Sequence, residues 1–185
     1  MPESNADRPN IVLIVTDQWR GDCLGLQGHP AVETPNLDHL FGRGTIADAP
    51  VELRDVMPTL LDAAGVEIPN GIEGRSVLPL CRGEQTEWRD ALHGEHSRGE
   101  TSNHWMTDGK EMYIWHSQTG EEQLFDLRTD LSNTRNLAAT RSERVAYWRT
   151  RLIASLTGRE EGYVDDGKLV VGRKPLAVLD SAGQG

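Results

Sequence analysis

The chain has 185 residues, enough for one domain or for one and a half, and its apolar content is ordinary for a protein with a core. Its 19 basic and 29 acidic side chains give a net charge of −10, which argues against a nucleic-acid-binding surface and a polybasic membrane anchor. The two cysteines, Cys23 and Cys81, are too few for a disulfide scaffold. The N-terminal residues lack the basic and apolar regions of a signal peptide, and no apolar run approaches the roughly 18 residues of a membrane span. A cytoplasmic location is therefore expected.

The first structural signal is the aliphatic run Ile11–Val15. Because continuous apolar character over so few residues is typical of a strand covered on both faces, the run predicts a strand of a parallel sheet. Asp17 and Gln18 follow soon after the run. A carboxylate at the C-terminal end of such a strand lies where α/β folds place their chemistry, so Asp17 is a candidate site residue.

A short helix is predicted after the Gly-rich loop that follows. Thr34 is a candidate N-cap, and Pro35 occupies the first helical position. The helical pattern stops early, at residues 41–45, where two glycines interrupt it. The sequence therefore predicts a helix that is shorter than its start suggests.

A second helix is predicted from about Val56 to Ala64. Asp55 is its candidate cap, and Gly65 is its candidate C-terminal stop. Residues 66–90 have weak periodicity, so they predict a loop-rich connection.

The next segment predicts β structure. Residues 91–96 and 113–116 contain aromatic and β-favouring side chains, and 123–127 forms a third such run. The loop 117–122, which contains a glycine, predicts an antiparallel hairpin between the last two runs.

The clearest predicted helix covers residues 141–157. Thr140 and Glu143 have the spacing of a capping box, and Gly158 is a candidate stop. Apolar side chains spaced by three, four and four residues predict one buried stripe, formed by Val145, Trp148, Leu152 and Leu156.

These segments together resemble the sulfatase family. The segment Arg8–Asp22, with its aliphatic run and Asp17-Gln18, is similar to the opening of a sulfatase, and Thr34–Asp38 is similar to the next block of that family. The Asp-Gln form of the first motif resembles the branch that contains phosphonate monoester hydrolases and some arylsulfatases. Five further segments resemble later parts of a sulfatase, namely Val51–Gly65, Gly74–Ser76, Tyr113–Ile114, Leu124–Leu127 and Asn136–Ala138.

The resemblance implies an α/β, alkaline-phosphatase-like fold with a C-terminal antiparallel sheet and a terminal helix. It divides the chain into four parts. Residues 1–42 would be an N-terminal piece of the catalytic domain, and 43–84 a late catalytic segment with a connection. Residues 85–172 would be a C-terminal α+β subdomain, and 173–185 a disordered tail.

The resemblance also implies hydrolysis of small sulfate esters, with neither a nucleic acid nor a membrane as partner. In that family a Ca²⁺ ion with oxygen ligands neutralises the charge of the transition state. The motif match places Asp17 and Gln18 at ligand positions of that ion. The family's nucleophile is a formylglycine made from Cys or Ser in a C-x-P-S-R type motif.

That nucleophile motif does not occur in the 185 residues. Cys23 is followed by Leu-Gly-Leu-Gln and Cys81 by Arg-Gly-Glu-Gln, so neither can become formylglycine through this motif. The family's second metal-binding block and its catalytic Lys and His also find no counterpart. In sulfatases these parts lie between two blocks that only residues 39–50 separate here. An internal deletion with its junction near residues 40–43 is the simplest account.

Two functions follow from the sequence. The chain is either a sulfatase of impaired or absent activity, or a non-catalytic remnant or interaction fragment of one.

A further motif contains His93 and His96. Their spacing would place both on one face of a helix, but Gly94 favours a strand, on which they point to opposite faces. A zinc site would also need a third and a fourth ligand. Zinc at this pair, and a substrate cleft lined by His96 or His104, remain alternatives.

Overall fold

The structure is a computed structural model that describes residues 11–12, 23–42 and 48–176. The chain forms two compact units, which we call the N-terminal unit, Met1–Glu87, and the C-terminal unit, Trp88–Gly185. The four-part division implied by the resemblance, with boundaries after residues 42, 84 and 172, stays a prediction.

The predicted N-terminal strand lies mostly outside the described residues. Of this run only Ile11 and Val12 are described, and both side chains are exposed. Asp17 and Gln18 lie outside the described residues, as does 177–185 at the end of the predicted tail. The strand, the two candidate ligands and the tail therefore stay predictions.

Helix α1, Pro35–Phe41, confirms the first predicted helix. The Thr34 side chain does not cap it, which corrects the predicted role of this residue. Its hydroxyl accepts a hydrogen bond from the Gly25 amide at 2.9 Å and donates one to the Asp38 carboxylate at 2.8 Å. The threonine therefore connects α1 to the 3-10 turn Gly25–Gln27.

Helix α2, Val56–Ala63, confirms the second predicted helix, and Gly65 follows it with a φ of 66°. Asp55 precedes α2, but its side chain does not cap that helix. The buried carboxylate instead accepts hydrogen bonds from the backbone amides of Glu52 and Arg75, both at 2.9 Å. It therefore fixes the later chain segment against the turn before α2.

The connection after α2 contains more order than its weak periodicity predicts. It includes the one-turn helix α3, Leu78–Cys81, and the preceding Val77 amide donates a hydrogen bond to the Thr59 hydroxyl at 3.0 Å. Gly74 has to be glycine, because a Cβ there would lie 1.8 Å from the Arg54 carbonyl oxygen.

The C-terminal unit is built on a four-stranded antiparallel sheet with the strand order β1-β2-β3-β4. The predicted hairpin is confirmed as β3 and β4, although Glu122, predicted in the loop, pairs with Trp115 in the sheet. The sequence pattern does not predict β2. The strands are β1, Leu92–His96; β2, Asn103–Thr107; β3, Glu111–His116; and β4, Glu122–Asp126, with a separate small hairpin of β5, Val164–Asp165, and β6, Lys168–Leu169.

Helix α4, Ser142–Leu156, packs on one face of this sheet. All four side chains of the predicted apolar stripe are buried, which confirms the stripe. They pack in one core with side chains of the strands and of the segment after α4, namely Met106, Tyr113, Trp115, Leu124 and Tyr163.

The predicted capping box at the start of α4 is wrong. Arg141 occupies the N-cap position, and no side chain caps the helix there. The Thr140 hydroxyl donates instead to the Leu137 carbonyl at 3.1 Å, so Thr140 belongs to the preceding turn rather than to a box with Glu143.

The start of α4 is held by the sheet. Glu111 of β3 is buried, and its Oε2 accepts hydrogen bonds from the Arg144 guanidinium at 2.6 Å and from the Trp148 indole at 2.9 Å. The buried indole N–H therefore has an acceptor, and the buried carboxylate has a positive partner.

Leu152→Ala is expected to lower the free energy of unfolding by about 2–5 kcal/mol, because the fully buried side chain would leave a cavity between α4 and the sheet. Leu131→Ala is the matched control, since this leucine is 77% exposed and should cost at most about 0.5 kcal/mol. Urea denaturation followed by circular dichroism measures both changes. Equal effects would contradict the packing of α4.

Candidate functional site

One face of β1 and β2 brings together three side chains that could bind a metal. His93 and Glu95 point to the same face of β1 because side chains alternate along a strand, and the strand register pairs Glu95 with His104 of β2. One ligand atom from each of the three residues lies within 4.8 Å of the others. We call these residues the His-Glu-His cluster.

Two distances define the cluster. His93 Nε2 lies 3.2 Å from His104 Nδ1, and Glu95 Oε2 lies 3.5 Å from the same His104 nitrogen. The two rings are also stacked, with centroids 5.4 Å apart. Three ligand-type atoms therefore converge on one small volume above the sheet.

His104 is the buried member of the cluster. Its ring stacks on Trp115 with centroids 5.8 Å apart and meets Tyr163 edge-on at 4.8 Å. Burial, together with the nearby His93, lowers the pKa of His104 to about 4. The His104 imidazole is therefore neutral at neutral pH.

Glu95 is ionised, and Arg159 in the segment after α4 holds its side chain in place. Burial raises the pKa of Glu95, but hydrogen bonds and charge from Arg159 outweigh it, so the pKa lies below its ordinary value. Arg159 donates to Glu95 Oε2 at 2.6 Å and to Glu161 Oε1 at 2.6 Å. One guanidinium thus pairs with and orients two carboxylates.

His93 is oriented from α4, where Ser155 Oγ lies 3.0 Å from His93 Nδ1. The residue between His93 and Glu95 has to be glycine. A Cβ at Gly94 would lie 2.0 Å from the ring of Trp105, so only glycine lets this indole cover the strand. The strand therefore holds its two potential ligands on one face and an aromatic ring on the other.

The histidine predictions have mixed outcomes. His93 and His96 lie on opposite faces of β1, which confirms the strand assignment and removes the pair as a zinc site. His104 is only 1% exposed, so it does not lie on the surface, and a substrate cleft lined by His96 or His104 stays a prediction. The link between His93 and His104 is missed by sequence reasoning because β2 is not predicted.

The cluster does not fit Ca²⁺, the ion implied by the resemblance. Calcium takes 6–8 oxygen ligands, whereas the cluster offers two imidazole nitrogens and one carboxylate. Within residues 23–42 and 48–176 no other group of three His, Cys, Asp or Glu side chains comes as close together. Among those described residues, no three carboxylates therefore converge in the way that a calcium site would favour.

Comparison with known proteins gives a consistent picture. The model for the C-terminal domain of N-sulphoglucosamine sulphohydrolase matches residues 32–157. An arylsulfatase of Clostridium perfringens is 48% identical over 139 residues, which cover 74% of this chain and 29% of that relative. Arylsulfatase K of Xenopus laevis is 30% identical over 107 residues, covering 51% and 20%. The chain spans less than a third of the length of either relative.

Two solved structures are similar to the chain. A 2-O GAG sulfatase superposes with a TM-score of 0.51 at 28% identity, covering 59% of this chain and 25% of that one. A phosphonate monoester hydrolase of Silicibacter pomeroyi superposes with a TM-score of 0.50 at 22% identity, covering 68% and 30%. At that identity the second likeness concerns the fold alone.

Arg159→Met is expected to lower the free energy of unfolding at pH 7 by about 1–3 kcal/mol, because two mostly buried carboxylates lose their shared donor. The pKa values of Glu95 and Glu161 lie below the ordinary 4.5, so their stabilising contribution is present above that pH and is lost as the pH falls. The effect of the substitution should therefore shrink as the pH falls below the ordinary 4.5. Denaturation in the presence of EDTA, at each pH, measures the change in the free energy of unfolding.

Arg151→Met is the control for this prediction. Arg151 also pairs with a carboxylate, but its partner Asp90 is 75% exposed, so the cost should stay below about 1 kcal/mol. An Arg159→Met effect as small as that of Arg151→Met, or one that does not change with pH, would contradict the assigned geometry.

Proposed function

This chain belongs to the sulfatase family of the alkaline phosphatase superfamily, and from that premise we propose that its 185 residues do not themselves hydrolyse sulfate esters. The predicted α/β fold class, with its antiparallel sheet and terminal helix, is confirmed with the family. Hydrolysis of sulfate esters is the reaction of the parent family. In this chain we propose that the activity is absent because its nucleophile is missing.

The observation that supports this proposal is the sequence around the two cysteines. Neither Cys23 nor Cys81 is followed by the Pro, Ser and Arg that the formylglycine motif requires, and no serine has that context. A formylglycine hydrate attacks sulfur and later releases sulfate by elimination. Without the motif, we identify no nucleophile among these 185 residues that would form that covalent intermediate.

Calcium binding is the second element of the proposal. By resemblance, Asp17 would be a Ca²⁺ ligand and Gln18 a weaker contact beside it. A carboxylate and an amide together supply at most three oxygens, fewer than the 6–8 that calcium takes. We therefore propose that these two residues alone hold the ion weakly.

The proposed substrate class, for any residual activity, is a small sulfate ester. This follows from the family and from the arylsulfatase name of the relative in Clostridium perfringens. The net charge of −10 argues against nucleic acid as a partner. Among the helices of the described residues, none has the length and apolar character needed to cross a membrane. The cytoplasmic location stays a prediction.

A second candidate function is that of a non-catalytic structural or interaction fragment. It is favoured by the C-terminal unit, whose sheet and α4 enclose a core of their own. A unit with its own core can present a binding surface whether or not the chain also contains a reactive centre.

The test is hydrolysis of p-nitrophenyl sulfate in excess Ca²⁺ by the chain and by its Asp17→Ala variant. Both are expected to release p-nitrophenol at the background rate, because neither has a nucleophile. A phenyl phosphonate ester, assayed in parallel, covers the phosphonate monoester hydrolase branch.

The arylsulfatase of Clostridium perfringens is the positive control in the same buffer. Mass spectrometry of the peptides that contain Cys23 and Cys81 should show unmodified cysteine. Turnover by the chain above that of Asp17→Ala, on either substrate, would overturn the proposal of inactivity.

A further inference from the structure

We propose that His93, Glu95 and His104 form a binding site for a single transition-metal dication of the zinc class. The site lies entirely within the C-terminal unit and uses one face of β1 and β2. Two imidazoles and one carboxylate are a ligand set that Zn²⁺ takes in proteins. The proposal concerns a metal other than calcium, which the cluster does not fit.

The first argument is the spacing of the ligand atoms. Zinc–ligand distances of about 2.0–2.1 Å with tetrahedral angles separate two ligand atoms by about 3.3–3.4 Å. His93 Nε2 and His104 Nδ1 are 3.2 Å apart, and Glu95 Oε2 is 3.5 Å from His104 Nδ1. Both separations lie within 0.2 Å of an edge of the tetrahedron. Two of the three ligand separations thus match the spacing that one ion requires, and the third, between His93 and Glu95, is within 4.8 Å.

The second argument is the set of partners around the ligands. A histidine that binds a metal usually donates its other ring N–H to a neighbouring acceptor. Ser155 Oγ lies 3.0 Å from His93 Nδ1. When His93 donates its Nδ1 hydrogen to this hydroxyl, its lone pair is on Nε2, which faces the cluster. Ligating carboxylates are in turn hydrogen-bonded, as Glu95 is by Arg159.

The protonation states suit a cation. Zinc binds neutral imidazole and ionised carboxylate. His104 is buried between Trp115 and Tyr163 and Glu95 is paired with Arg159, so the two groups are already in those states at neutral pH.

Arg159 does not block the site. An ionised carboxylate has about four lone-pair positions on its two oxygens, so Glu95 can accept from Arg159 and still face a metal. The charge of Arg159 is itself balanced by Glu161, whose oxygen it contacts at 2.6 Å. The ion would therefore meet one carboxylate that is not fully neutralised by the guanidinium.

Three protein ligands leave a fourth coordination position. In zinc sites that keep such a position, a water or a substrate atom occupies it. His93 and Glu95 are only half-buried, so this position would face the accessible side of the cluster. The site would thus hold an exchangeable ligand rather than a closed structural ion.

The experiment uses the full chain without a histidine tag, stripped with EDTA and then freed of chelator. Zn²⁺ is titrated in competition with a chromophoric chelator, and Co²⁺ is titrated as a spectroscopic substitute. We expect one tight equivalent of Zn²⁺, and a tetrahedral Co²⁺ spectrum in the visible without a thiolate charge-transfer band.

The variants separate the cluster from other ligands. Glu95→Gln keeps the shape of the side chain, and it should weaken Zn²⁺ binding at least tenfold, as should His93→Ala. Ser155→Ala should weaken it by about 10–100-fold through His93. His96→Ala is the matched control, because this histidine lies on the same strand but is exposed on the opposite face, and it should bind zinc as the unaltered chain does.

Circular dichroism checks that each variant folds. If His93→Ala does not fold, the zinc affinity of Glu95→Gln decides the test. The proposal is overturned if the unaltered chain takes up no tight zinc, or if His96→Ala loses as much affinity as Glu95→Gln. It is also overturned if the Co²⁺ spectrum shows thiolate ligation, which would move the ion to Cys23 or Cys81.

Discussion

The packing of helix α4 on one face of the four-stranded sheet is the interaction on which the C-terminal unit depends. A helix of this length gains most of its stability from an apolar face that is buried against another element. In α4 that face is the stripe around Trp148 and Leu152, both fully buried. The same helix also carries Ser155 at its C-terminal end, and Arg159 follows soon after it. The contacts that build the core therefore also position the partners of His93 and Glu95.

The same packing supplies partners for a carboxylate that is buried beside the core. Glu111 lies under the start of α4, where a buried carboxylate would be costly without partners. The Trp148 indole and the Arg144 guanidinium supply them, at 2.9 and 2.6 Å. This network, rather than a capping box, sets where α4 begins on the sheet. A local signal at Thr140 was outweighed by a contact between residues that are far apart in sequence.

The predictable parts of the structure are those whose signal is local. The stripe of α4 has the helical period, and the hairpin of β3 and β4 has its turn residues in sequence. Strand β2 begins with Asn103 and His104, which carry little β-propensity, and it forms because it pairs on both sides. The candidate site needs this strand, since His104 meets Glu95 only through the register. Sequence spacing alone pairs His93 with His96, which the alternation of a strand separates.

The chemistry of the ligand atoms separates the two metals that the chain suggests. Sulfate esters are handled by a hard ion among oxygen ligands, since that ion has to neutralise the charged oxygens of the sulfate group. Imidazole nitrogens suit zinc and related ions, so a cluster with two of them is not a damaged calcium site. Its residues are joined by neighbouring strands and one helix, all within the C-terminal unit. The strand register and the contact with Ser155 that shape this cluster therefore lie within the C-terminal unit.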